Sequence, residues 1–300
     1  MKQIEKLRKT SKWVQNIGMT VILLGGLALL YFFGLKKQED DNSFFLTVTI
    51  CMSMVVILFA FMLFVAVPLQ NKLINTVITE SIKDNVSNIV FNKKKGYNKE
   101  TFEKLNLVGK RFEKYSCIDY YSFDFLDMNV ESCGVKAYDE HKIPKQKGVK
   151  GSKVRKKTEL HFFGRIYIVP FESDVKFNVF GKKSSSVSRK KEMANKEFCN
   201  EFILKAKKYS DNFEVYYGEE KPTINMNQFL DKLLSLKIQS KGVISIFVRK
   251  KSFILCVDNN KAYEEVELKK PFDENILRGY KKDINVVLNF IKAVTTLEEK

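Results

Sequence analysis

The side chains in this sequence best suited to chemistry are few and widely separated. Histidine occurs twice, at His141 and His161. Neither has a second His or a Cys at the spacing of a zinc-ligand pair, and His161 lies in a strand-like pattern, where an outward or partly packed imidazole is the common case. Asp119, Asp124 and Asp127 are close enough in sequence to gather around a cation. Their spacing lacks the alternating oxygen ligands and the bend glycine of a calcium loop, so they read as turn and strand-edge carboxylates. Glu159 completes the set that a dispersed active site would draw on. No phosphate-binding glycine loop, nucleophile elbow or dinucleotide fingerprint occurs. Cys51, Cys117, Cys133, Cys199 and Cys256 form no C-x-x-C pair, and scattered thiols suit a reducing compartment better than a disulfide framework. No catalytic residue, metal or cofactor is expected on these grounds. A membrane-bound enzyme with a dispersed site is the rival reading, not the leading one.

Charge is what rises above background. The chain has 52 basic residues against 35 acidic, a net charge of +17, and 45 of the basic residues are lysine. Two stretches concentrate them. "KIPKQKGVKGSKVRKK" (142–157) holds eight basic residues and no acid, and "KKSSSVSRKK" (182–191) holds five. Both are expected to be loops, and the candidate surface-binding residues are Lys153, Arg155, Lys156, Lys157, Arg189, Lys190 and Lys191. Three readings compete. A lysine-rich proteome accounts for the charge without a role. Nucleic acid is not expected, because phosphate clamping and base readout favour the planar fork of arginine. Attachment to anionic lipid headgroups needs only point charges, at ~1 kcal/mol per engaged Lys or Arg.

The elements that must position these groups begin with two apolar runs. Residues 13–35 and 44–69 carry no charge. A bilayer core of ~30 Å needs about 20 apolar residues in a helix, so both runs are long enough to span it. Gly25, Gly26 and Ala28 would let the two helices approach closely. Five basic residues among the first twelve, against Lys36 and Lys37 in the loop 36–43, put the N-terminus inside and the loop outside. Two crossings return the chain to the cytoplasm. Residues 70–300 then carry a net +14.

Apolar residues from Ile74 to Val90 recur at three and four, predicting a helical stalk, and a second helix is predicted over 100–114; the stalk region is thus 70–115. From 116 onward aromatic and β-branched segments alternate with helical ones without βαβ regularity, which predicts an α+β domain of antiparallel strands and packed helices. Residues 159–170 and 175–181 read as a hairpin turning at "ESD", which would bring both basic loops to one end. "NMNQFLDKLLSL" reads as a helix capped by Asn225, "GVISIFVRKKSFILCVDNN" as a hairpin turning at 249–252, and 273–297 as a terminal amphipathic helix.

The order of these motifs is itself informative. Two N-terminal spans, a stalk, "CIDYYSF", "FFGRIYIVPFESDVKFNVFG", "KEFCNEF", "YSDNFEVYYGEEKPTINMNQFLDKLLSL" and "VISIFVRKKSFILCVD" together resemble the bacterial domain-of-unknown-function family 3137. The resemblance covers roughly residues 70–297 by order of elements. It implies a bacterial membrane-anchored protein with a LemA-type membrane protein as partner, and supplies no catalytic residues to carry over.

Overall fold

The computed structural model describes residues 2–35, 49, 52–53, 55–58, 60–91, 96–105, 107–108, 112–143, 155–182, 197–260 and 274–296. The chain divides into two compact units, Met1–Ser81 with Val266–Gly279 and Ile82–Glu265 with Tyr280–Lys300.

The first unit is built on two long helices. Helix α1 runs unbroken over Lys2–Leu35, about 51 Å at 1.5 Å per residue. Its first turns bury Ile4, Arg8, Ser11 and Val14, a stripe at helical spacing, and Glu5 holds the buried Arg8 through two hydrogen bonds of 2.8 and 2.6 Å. Helix α2, Val55–Ile82, passes through a π-helical stretch at Met62–Ala66. Among the described residues it is the one helix long and apolar enough to cross a membrane. The helices meet where Gly18 faces Met62: a Cβ at Gly18 would lie 3.1 Å from the thioether sulfur.

Exposure on these helices does not follow one face. Ile22, Leu23 and Leu24 are 54, 66 and 60% exposed, and Val55, Val56 and Ile57 are 53, 63 and 67% exposed. Consecutive helical residues point about 100° apart, so apolar surface wraps most of the way round each helix.

The second unit is an antiparallel sheet with helices packed against it. Its strands are β1 (Ser87–Phe91), β2 (Lys114–Phe125), β3 (Met128–Ile143), β4 (Arg155–Pro170), β5 (Phe177–Gly181), β6 (Asn200–Glu201), β7 (Phe213–Tyr217), β8 (Val243–Val248) and β9 (Ser252–Asp258). Their order is β1-β2-β3-β4-β9-β8-β5-β7-β6. Strands β2 and β3 join through a two-residue turn, with Leu126 and Asp127 both left-handed (φ 51° and 59°), the backbone that matches strand twist in a tight hairpin. Short helices α3 (Lys99–Lys104) and α4 (Lys207–Ser210) interrupt the strands, α5 (Met226–Ser240) lies between β7 and β8, and α6 (Glu274–Thr295) follows β9.

Alternation along the strands sorts the core into two layers. Phe177 packs edge-on against Phe229 of α5, and Phe253 against Phe290 of α6, so these helices cover one face. On the other, Phe102 of α3 sits 5.3 Å from Phe162 and 5.7 Å from Phe112, over a layer that includes Cys133, Val135, Ala137 and Ile166. The Asn225 side chain accepts a hydrogen bond from Gln228 N–H, the predicted cap of α5. The β8–β9 hairpin turns where the sequence placed it, and α6 buries Ile284, Val287, Leu288, Ile291 and Val294 as its stripe requires.

Four expectations change. Helix α2 ends at Ile82, and the residues read as the end of the stalk form edge strand β1; a turn at 83–85 and a left-handed Asn88 break the helix, and the β-branched run pairs with β2 instead. The helix expected over 100–114 shrinks to the six residues of α3, capped at Leu105, and Leu107 and Phe112 join the buried layer without helical backbone. The basic segment 142–157 is not all loop: β3 runs through Ile143 and β4 starts at Arg155, with Ile143 opposite Arg155 and Lys142 opposite Lys156. Finally, β4 and β5 are not a hairpin. Strand β4 pairs with β3 and β9, β5 pairs with β7 and β8, and two strands separate them.

Candidate functional site

The sheet extends one ribbon beyond its neighbours. Pairing of β2 to β3 ends at Lys114 opposite Tyr138, and pairing of β9 to β4 ends at Asp258 opposite Gly164. Past those points Asp139–Ile143 and Arg155–Glu159 pair with each other alone, among the described residues. This arm carries three of the seven candidate basic residues. Arg155 and Lys156 occupy its outermost described rungs, and Lys157 is exposed opposite His141. Lys153, Arg189, Lys190 and Lys191 lie outside the described residues. Through the registers of β8 and β9, Gly181 of β5 stands near the level of Arg165, ten residues short of Arg155 on β4. The two basic segments therefore leave the same end of the sheet but start roughly 30 Å apart along the strand direction, at ~3.3 Å per residue.

At the base of the arm the two histidines come together. Asp139 and His141 project from one face of β3, and Glu159, directly opposite Asp139, shares that face. His161 joins them through a bulge: Ala137 pairs with Phe162 and Tyr138 with Leu160, so His161 is the extra residue and turns to the same side. His161 Nε2 lies 2.8 Å from Asp139 Oδ2, and His141 Nε2 lies 3.3 Å from Glu159 Oε2. His161 Nδ1 is 3.9 Å from Glu159 Oε1. The other Asp139 oxygen accepts the Glu113 N–H at 2.7 Å, which ties the site to the segment that carries Phe112. Burial is graded. The His161 and Asp139 side chains are 5 and 11% exposed, whereas Glu159 and His141 are 48 and 55% exposed. Ligand atoms of Asp139, His141 and Glu159 all lie within 4.8 Å of one another.

The remaining candidates are structural. Asp124 accepts hydrogen bonds from Asn88 at 2.6 Å and Asn129 at 2.8 Å, and those bonds hold its carboxyl below the usual carboxylate range. Asp127 sits in the β2–β3 turn, and Asp119 faces Gly134 beside a register shift. Cys133 and Cys256 are buried; contact with Cys117 and burial raise the Cys133 thiol, and burial raises that of Cys256, so neither is a ready thiolate. A surface cavity of about 440 Å³, lined in part by Asn212, Lys237, Lys241 and Asp258, involves none of the clustered groups.

The sequence held the cluster's members but not their meeting. His141 and His161 are twenty positions apart, and only the β3–β4 register and a one-residue bulge bring them to the same face. The fold and this site define an α+β protein with a large antiparallel sheet, a two-stranded arm that extends beyond it, and a His–carboxylate cluster at the base of the arm. No family model, curated protein or solved structure matches the chain.

Proposed function

We propose that this protein is a membrane-anchored cytosolic interaction module. In this reading the runs 13–35 and 44–69 cross the bilayer as a hairpin, the loop 36–43 lies outside, and the sheet unit stays on the cytoplasmic side. Its basic arm then engages anionic lipid headgroups. The observation that carries the reading is the apolar surface wrapping both helices, with Trp13, Leu27, Val56 and Phe64 each more than 60% exposed. Water would leave that surface unburied, whereas lipid solvates it. The order of motifs that resembles the bacterial family points the same way. An enzymatic reading rests on the His–carboxylate cluster, but Glu159 and His141 stand about half exposed on a two-stranded ribbon, and enzyme sites are generally concave.

The lipid reading has a direct test. A fragment spanning 83–300 should bind vesicles containing anionic lipid and ignore neutral ones. Lys153, Arg155, Lys156 and Lys157 together are worth roughly 4 kcal/mol if all engage, about three orders of magnitude in affinity. Replacing them with glutamine should remove most of the binding, and replacing Arg189, Lys190 and Lys191 should weaken it further. Binding should fall steeply with salt, because the Debye length shrinks from ~10 Å at 0.1 M to ~3 Å at 1 M. Equal binding by the substituted fragment, measured by co-sedimentation, would reduce the charge to proteome bias.

A further inference from the structure

We propose that Asp139, His141 and Glu159 form a binding site for a divalent transition-metal ion, with zinc the best fit, and that His161 positions Asp139 within it. The argument starts from a cost. Asp139 and Glu159 are direct cross-strand partners, and like charges in that relation destabilise a ladder. The ribbon nevertheless places them together, with both histidines of the chain gathered at the same spot. A cation between the carboxylates would turn that repulsion into attraction.

The ligand types select the ion. Two carboxylates and an imidazole suit zinc and its transition-metal neighbours, whereas calcium and magnesium take oxygen ligands. The three ligand atoms, all within 4.8 Å of one another, need only modest side-chain rotation to close on a zinc ion at ~2.0–2.2 Å. Glu159 and His141, about half exposed, have room for that rotation. Asp139 is the fixed member. The His161 imidazole and the Glu113 N–H each hold one of its oxygens in place, and a carboxylate oxygen has more than one lone pair with which to accept. Hydrogen bonding of this kind orients a metal's ligands and contributes to affinity. With three protein ligands and an exposed outer side, the site keeps a position for water. Lys157, opposite His141, is exposed.

The test uses the full-length, untagged protein in detergent, stripped with a chelator and titrated with zinc chloride by calorimetry. Cobalt absorption serves as a second readout of nitrogen and oxygen ligation. One zinc per chain is expected. Substituting His141→Ala together with Glu159→Gln should abolish that binding, and His161→Ala, which removes the hydrogen bond to Asp139, should weaken it roughly 10–100-fold. Circular dichroism of each apo variant establishes that the sheet is intact. His161 is buried, so should His161→Ala unfold the chain, the exposed pair His141 and Glu159 still decides the question. No stoichiometric zinc binding by the native chain, or undiminished binding in the double variant through thiols elsewhere, would overturn the proposal.

Discussion

Gly164→Ala is expected to remove at least about 3 kcal/mol of stability from the sheet unit, the upper end of the usual overpacking cost, and Gly164→Val to leave no folded sheet at all. A Cβ at Gly164 would lie 1.9 Å from the Val257 carbonyl oxygen and 2.9 Å from the Asp258 Cα. These are backbone atoms, which cannot swing aside as a side chain would. Strand β9 would have to part from β4, and that pair is the seam joining β1–β4 to the other five strands. Total stability of a domain is only about 5–15 kcal/mol, so the loss is a large share of it. Glycine is a poor strand residue, and relief of its entropy would otherwise favour alanine by roughly 0.5–1 kcal/mol. The expected sign is thus opposite to the propensity argument. Gly279 in α6 makes the control, since a Cβ there meets nothing within 4 Å and should be tolerated. Urea unfolding of the 83–300 fragment followed by circular dichroism reads both, and an unchanged midpoint for Gly164→Ala would contradict the seam.

The second large effect concerns the apolar helices. Replacing Val56 and Ile57 with aspartate places two charges at the centre of the 44–69 run. Each costs ~2.5–3.5 kcal/mol on an insertion scale, so the pair costs roughly 5–7 kcal/mol. The second run should then fail to insert, leaving 13–35 as a single crossing and position 300 on the outer side. If α2 lay in water, the same changes would replace two apolar side chains, 63 and 67% exposed, with soluble ones. Position 300 would then stay on the side it occupies in the native chain. Labelling of a cysteine at position 300 in intact cells by a membrane-impermeant maleimide separates the two outcomes.

Local pattern made some of the fold legible, and long-range pairing hid the rest. Helix α5 could be read because its cap, Asn225, and its stripe of Phe229, Leu230 and Leu233 lie within one short window. The β8–β9 hairpin was equally local. Ile89 and Val90 misled because they fit both a helical stripe and a strand, and only pairing to β2 decides between them. The β2–β3 turn carries Leu-Asp where a glycine would have announced it. Strand order was the larger gap. Nothing in the sequence between β4 and β5 signals that β8 and β9, some seventy residues later, insert between them. The candidate site was missed for the same reason, since metal-ligand spacing along the chain is blind to ligands that face each other across a ladder.

The orientation of the chain decides whether the basic arm can meet the cytoplasmic leaflet at all, and cysteine labelling in intact cells measures it. Asp41→Cys and Lys300→Cys are introduced in turn into an otherwise cysteine-free chain and exposed to a membrane-impermeant maleimide. The anchored-module reading requires labelling at position 41 before lysis and at position 300 only after it. Labelling of position 300 but not 41 in intact cells would contradict both the orientation and the cytosolic role of the sheet unit.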